Sequence, residues 1–251
     1  MLSLAAGTVL DLAPDAVVAC AAEAGYPLCG VRLGRPRAEA AGVAAALRAT
    51  GVGLLDVEVV RLLPGPLSDA HRELAGTAAT LGARFLLTVS QNPDEAETID
   101  RVAELAALLA GSRTRIALEP MAFTALRTRA DAERVARCVP GTTVLLDPLH
   151  LYRAGTPLDV AADPALTGYA QLTDVGSSAP PSDLAHEARH DRMPPGEGVL
   201  ALAGFVAALP PDVPLSVEVQ SDRLAAELDP LARARHVRAA AQRCTTGVAG
   251  S

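Results

Sequence analysis

The feature that most limits what this chain can become is a short apolar run that stops at an acid. Val144, Leu145 and Leu146 are followed by Asp147 and then Pro148. An uncharged run of this length fits a strand buried on both faces, and proline disfavours its continuation. His150 lies three residues beyond the aspartate. The layout recurs. Ile116-Ala117-Leu118 runs into Glu119-Pro120, and Leu215-Ser216-Val217 into Glu218. Tyr169-Ala170-Gln171-Leu172-Thr173 runs into Asp174 and a loop rich in Gly, Ser and Pro. A carboxylate at the tip of a buried strand is a common way to build a metal or acid/base site.

Between such runs lie Ala-rich amphipathic segments, the alternation of βα units around a parallel sheet. The pattern predicts eight strands, over 2–5, 29–33, 54–62, 84–89, 115–119, 143–147, 169–173 and 215–219. Helices are predicted over 14–24, 39–49, 68–82, 94–109, 131–139, 200–209 and 229–244, with Ser68 as a cap and Gly25 as a stop. Eight such units in 251 residues suit a single-domain (β/α)8 barrel, which takes about 250 residues. A doubly wound open sheet is the alternative. It is disfavoured because Ala5-Ala6-Gly7-Thr8-Val9, at the first strand end, is no Gly-rich phosphate loop. No linker divides the chain. Residues 1–244 are expected to form the barrel and 245–251 a disordered C-terminal tail. The longest irregular stretch, 174–198, is expected at the active face.

Composition removes several function classes. The net charge is −7, and all 22 basic residues are arginine, so lysine Schiff-base chemistry is excluded. The acidic balance argues against a nucleic-acid partner, whose phosphates need a basic surface. No run of about 18 apolar residues is free of charge or proline, so no membrane span is expected. Met1-Leu2-Ser3-Leu4 has no basic region ahead of an apolar one; no signal peptide is expected, and the expected location is cytoplasmic. The 4 cysteines form no C-x-x-C pair and are read as free thiols of a reducing compartment.

On the barrel reading, Glu119, Asp147, Gln171 and Glu218 stand at the ends of the last four strands, which are consecutive around the barrel. An isolated Asp or Glu is more often a cap or salt-bridge partner, but four at consecutive strand ends point to a site. Three carboxylates converging without a cation would force one to keep its proton. A divalent ion resolves this. Carboxylate and amide oxygens suit Mn²⁺ or Mg²⁺, with Co²⁺ also compatible and Zn²⁺ less natural without a His or Cys ligand. At the mouth, Arg32 and Glu58 are candidate substrate-binding residues, with a surface salt bridge as the plain reading. Arg192, abutting Pro194-Pro195-Gly196, is the favoured arginine to grip a substrate carboxylate or phosphate. His186-Glu187-Ala188-Arg189-His190 matches the zinc-protease motif, but it lies among charges between proline pairs and has no third ligand motif.

Glu119-Pro120, Leu146-Asp147-x-x-His150 and Val217-Glu218-Val219 resemble the xylose isomerase-like TIM barrel superfamily, the sugar phosphate isomerase/epimerase and AP endonuclease family 2 group. Arg192–Gly198 resembles the Pro-Gly-x-Gly turn that many members carry after the seventh strand. The resemblance covers essentially the whole chain. It implies metal ligands at Glu119, Asp147, the seventh-strand position and Glu218. It implies that Glu119 and Glu218 double as the acid/base pair and that His150 binds substrate. Many members have His where this chain has Gln171; glutamine is similar to the hydroxypyruvate isomerase-like branch. The implied activity is isomerisation or epimerisation of a small polyhydroxylated substrate through a metal-stabilised enediolate. Loss of a β-hydroxyl from the same start would instead give a dehydratase of inosose- or 3-dehydroshikimate-like substrates. An endonuclease IV-like activity would need more His ligands and a basic face. A non-catalytic barrel would be expected to lack a ligand. A homodimer or homotetramer is expected by resemblance alone.

Overall fold

The alternation of strands and helices closes on itself. The computed structural model describes residues 1–246. Its strands are β1 (Leu2–Leu4), β2 (Leu28–Arg32), β3 (Gly53–Leu62), β4 (Phe85–Ser90), β5 (Arg115–Leu118), β6 (Thr142–Leu146), β7 (Thr167–Leu172), β8 (Asp174–Val175), β9 (Arg192–Met193) and β10 (Leu215–Val217). Eight of them form a closed parallel barrel in the order β1-β10-β7-β6-β5-β4-β3-β2, and β8 and β9 make a separate antiparallel hairpin. The helices are α1 (Pro14–Glu23), α2 (Pro36–Thr50), α3 (Asp69–Leu81), α4 (Glu95–Leu108), α5 (Arg129–Cys138), α6 (Pro148–Arg153), α7 (Leu184–His190), α8 (Leu202–Ala208), α9 (Asp222–Glu227) and α10 (Pro230–Thr246). This is a single-domain (β/α)8 barrel. Among the described residues no helix is long and apolar enough to cross a membrane.

Local chemistry sets the element ends. Ser68 caps α3 by accepting from the His71 N–H at 3.2 Å, while His71 reaches back to the Ser68 N–H. Thr128 and Asp131 form the same reciprocal cap on α5. Gly51 and Gly82 close α2 and α3 at φ 72° and 68°, a left-handed conformation that costs glycine nothing. The packing has two layers. Outside the barrel, residues such as Leu4, Val31, Leu86, Leu118 and Val144 face the helices. Inside it, Leu28, Leu55, Phe85, Leu87, Leu145 and Tyr169 fill the lower barrel, with the Phe85 and Tyr169 rings 5.0 Å apart. That plug leaves the C-terminal mouth as the open end.

Several expectations are corrected. The strands carrying the acids end one or two residues early, so Glu119, Asp147 and Glu218 sit just past Leu118, Leu146 and Val217. The stretch 174–198 is ordered: it contains the β8–β9 hairpin and α7. The short helices α6 and α9 have no strong sequence periodicity and went unanticipated. The last helix continues to Thr246, two residues into the expected tail, and 247–251 lie outside the described residues.

Candidate metal centre

Each strand end places its polar group by a local device. The Glu119 N–H donates to Thr88 O at 3.0 Å, holding the chain in strand register one residue beyond β5. Asp147 caps α6, accepting from the Leu149 N–H at 2.8 Å, and Pro148 supplies the first helical residue. His150 follows in that first turn and is 1% exposed. The Glu218 N–H donates to Leu172 O at 3.1 Å. Thr8 braces the same strand end: its hydroxyl donates to Val217 O and accepts from the Val219 N–H, both at 2.9 Å. Gly7 lies against the Glu218 carboxylate, and a Cβ there would come within 2.2 Å of Oε1. Only glycine leaves that carboxylate its place.

Glu119, Asp147 and His150 are buried, and their potential ligand atoms all lie within 4.8 Å of one another. Such a cluster could hold a metal ion. His150 Nε2 is 3.8 Å from Glu119 and 3.7 Å from Asp147. Burial, reinforced by Arg192 and Arg189 and resisted by Asp147, lowers the His150 pKa to about 4, so the ring is neutral at pH 7. Glu218 lines the same cavity but is outside the tight trio, 3.6 Å from Arg192 Nη2 and accepting from Gln220 Nε2 at 3.0 Å. Gln171 lies on β7, between β6 and β10, and its buried Oε1 has no hydrogen-bond partner. His150 thus joins the cluster and also lines the cavity.

Arg192, expected to grip substrate, lines the cavity but is already paired within the cluster. It is 2% exposed, its Nε donates to Ala188 O at 2.7 Å, and its Nη1 donates to Asp147 Oδ2 at 2.7 Å. Burial opposes its charge, but Asp147 and Glu218 outweigh that and raise its pKa. The pairing shows on the other side too: burial pushes Asp147 up, but Arg192 and His150 pull its pKa below the ordinary value. The loop delivers Arg192 by way of Asp174. That buried carboxylate accepts from the N–H groups of Val175, Gly196 and Leu200 at 2.8, 3.1 and 2.9 Å, pinning the Pro-Gly turn against β8. Sequence reading passed over this role of Asp174, although a strand-end acid before a Pro-Gly turn is its signal.

Three carboxylates, Glu119, Asp147 and Glu218, therefore share one guanidinium. Burial, then repulsion from Glu218 and Asp147, hold the Glu119 pKa well above the carboxylate range. Burial, with Glu58 and Asp147 adding to it, also raises that of Glu218 against the pull of Arg192. Fully ionised, the group would carry two uncompensated negative charges. That deficit, with the unpartnered Gln171 oxygen and the neutral His150, fits a divalent cation.

The cavity above has a volume of about 160 Å³. Arg32 and Glu58 line it as an ion pair at 2.7 Å, Glu58 buried and Arg32 one-third exposed, so the pair belongs to the site wall and not to the outer surface. Phe123 and Met121, which the sequence did not single out, line it as well. A further buried acid, Asp56, lies against Gly30 inside the barrel; burial and Glu58 raise its pKa well above the ordinary value. The zinc-protease pattern is accounted for otherwise. Glu187 turns inward to Arg153, while His186 and His190 stack at 4.6 Å outside, each beside its own aspartate.

Fold and site together define a (β/α)8 barrel with a buried carboxylate–histidine centre at the C-terminal mouth, the position of TIM-barrel active sites. A family model described as xylose isomerase-like TIM barrel matches residues 18–243, and the chain belongs to this family. No curated protein matches it in sequence. Among solved structures it is similar to a xylose isomerase-like TIM barrel/4-hydroxyphenylpyruvate dioxygenase fusion protein (TM-score 0.81, 20% identity), covering 98% of this chain and 43% of that one. It is similar to the IOLI protein with a bound zinc atom (TM-score 0.79, 18% identity, 98% of this chain and 97% of that one). It is also similar to D-psicose 3-epimerase from Clostridium cellulolyticum H10 (TM-score 0.71, 11% identity, 98% and 99%). Solved structures of similar fold also include a probable 3-DHS dehydratase from Bacillus anthracis (TM-score 0.70, 14% identity, 94% of this chain and 97% of that one).

Proposed function

We propose that the protein is a divalent-metal-dependent isomerase or epimerase of a small polyhydroxylated aldehyde, ketone or keto acid. The observation that carries this reading is the buried Glu119–Asp147–His150 cluster at the floor of a cavity that Glu218 also lines. Glu119, Asp147, Gln171 and Glu218 would hold the ion, with His150 as a neutral nitrogen beside them. Oxygen ligands favour Mn²⁺ or Mg²⁺, and the nearby imidazole widens the range to Co²⁺ and Zn²⁺. A bound divalent ion supplies a Lewis acid that polarises a substrate carbonyl and acidifies the adjacent C–H.

The chain supplies the proton transfers. Glu119 and Glu218 both line the cavity, where each carboxylate can accept a proton from a bound substrate and return it. One removes the proton α to the carbonyl, and the other delivers it at the neighbouring carbon or opposite face. Asp147 stays ionised against Arg192 and acts as a fixed ligand, not as a base. The plugged barrel below and Phe123 and Met121 above limit water around the reacting carbons.

The test is metal analysis of the purified protein followed by a solvent-deuterium exchange screen over keto sugars and keto acids. Stoichiometric divalent metal, exchange into one substrate with a new isomer, and loss of exchange in Glu218→Gln are the expected results. Absence of divalent metal together with unchanged behaviour of Glu218→Gln would refute the reading. An enone absorbance in place of an isomer would assign the dehydratase outcome.

A further inference from the structure

Two of the arginines at the cavity are not paired with its acids. Four arginines line it: Arg32, Arg61, Arg189 and Arg192. Arg192 is committed to Asp147 and Arg32 to Glu58, each at 2.7 Å. Arg61 and Arg189 are not. Both side chains are exposed at the rim, and among the described residues neither makes an ion pair or hydrogen bond. They come from different parts of the chain, Arg61 from β3 and Arg189 from α7, yet they meet at one opening.

Their surroundings leave them ready for an anion. The Arg189 guanidinium lies 5.5 Å from the Phe123 ring centre, and the same ring meets His150 edge-on at 5.5 Å. A cation over an aromatic face uses its flat face, so its N–H edge stays free to donate. The partial loss of solvent around Arg61 where it borders the cavity, and then repulsion from the charges of Arg32 and Arg189, lower its pKa against the pull of Glu58 and Glu119. An anion between Arg61 and Arg189 would relieve that repulsion. A cavity of about 160 Å³ is smaller than pockets for drug-sized ligands, so the bound molecule is compact.

Building on the proposed isomerase reading, we propose that Arg61 and Arg189 grip an anionic terminus, and that the substrate is a small polyhydroxylated acid. Its carboxylate or phosphate sits between the two guanidinium groups, and its hydroxyl-bearing carbons face Glu119 and Glu218. The role that the sequence assigned to Arg192 passes to these two residues.

Equilibrium binding tests this without turnover. Xylitol, xylonate and xylitol 5-phosphate are titrated by calorimetry into the wild type, Arg61→Gln and Arg189→Gln. Each titration is repeated with chelator, so that affinity of the anions for a metal does not count. The expected result is that at least one anion binds about tenfold or more tighter than xylitol, the scale of one or two charge-assisted hydrogen bonds. Each substitution should remove most of that preference and leave xylitol unchanged. Preference for xylonate assigns a carboxylate, and for xylitol 5-phosphate a phosphate. No preference for either anion in the wild type overturns the proposal, as does a loss in the variants that is equal for xylitol. Both arginines are exposed, so neither substitution strands a buried group. An absent preference with metal uptake and exchange intact refutes the grip alone. Intact preference without metal or exchange refutes only the isomerase reading.

Discussion

The two halves of the barrel mouth handle charge in opposite ways. On β5, β6, β7 and β10 the polar groups stand at or just beyond strand ends, are buried, and are matched only in part: three acids face one guanidinium. On β2 and β3, Arg32 ends its strand, Glu58 and Arg61 sit within theirs, and the cations are partly open to solvent. Burial makes the first half a place where protonation states are held away from their ordinary values. Solvent access makes the second half a place where charge is available for recognition. Under the proposed function, the contrast gives chemistry to one side of the cavity and selection to the other.

The sharpest test of the contrast is catalytic. Glu119→Gln or Glu218→Gln should lower proton-exchange turnover by roughly 10²–10⁴-fold, the usual contribution of a positioned acid or base. Arg61→Gln should act on binding of the acid instead, and equal losses of turnover from both halves would break the division. Next comes stability. Asp147→Ala removes the hydrogen-bond partner of the buried Arg192 Nη1 and leaves Glu218, 3.6 Å from Nη2, as its remaining counterion; losing a buried charge-assisted hydrogen bond costs about 1.5–3 kcal/mol, read by urea unfolding. The same experiment should also show weakened metal uptake; turnover abolished with metal fully retained would contradict the fixed-ligand role.

A smaller effect is expected from pH. Without metal, the raised pKa of Glu119 means that the folded protein binds a proton more readily than the unfolded chain does. Metal-free stability should therefore fall as pH rises from the ordinary glutamate value of 4.5 through the raised folded-state value. Because a cation must displace that proton, metal affinity should rise with pH, by up to about tenfold per pH unit for each proton released. Isothermal titration at several pH values reads this, and a flat dependence would mean that Glu119 is already ionised. Smallest of all, Glu58→Gln should cost about 1 kcal/mol or less, because Arg32 is one-third exposed and screened by solvent. A cost matching that of Asp147→Ala would erase the difference between the halves.

How much of this was legible beforehand follows the same line. Glu119, Asp147 and Glu218 could be placed from the sequence because an acid ending an apolar run is a local signal, and a barrel carries every strand end to one face. Arg192 could be placed near the mouth but not given its partner. Its pairing with Asp147 spans 45 residues and depends on the β8–β9 hairpin and on Asp174 gripping the Pro-Gly turn. Arg32 and Glu58 were legible as candidates at the mouth but not as partners of one another, because inward and outward faces alternate only while the register is regular. The register shifts between Cys29 and Gly30 and again between Val57 and Val60, so counting by twos fails there.

The sequence by itself determined the barrel, its strand order and the ring of acids at its mouth, because apolar runs, caps and strand-ending acids act within a few residues. Only the tertiary structure decided which cation stands among those acids and which arginines remain free above them. The reason is physical: a buried charge is fixed by whatever partner the fold brings within about 3 Å, and nothing in the order of residues along the chain specifies that partner.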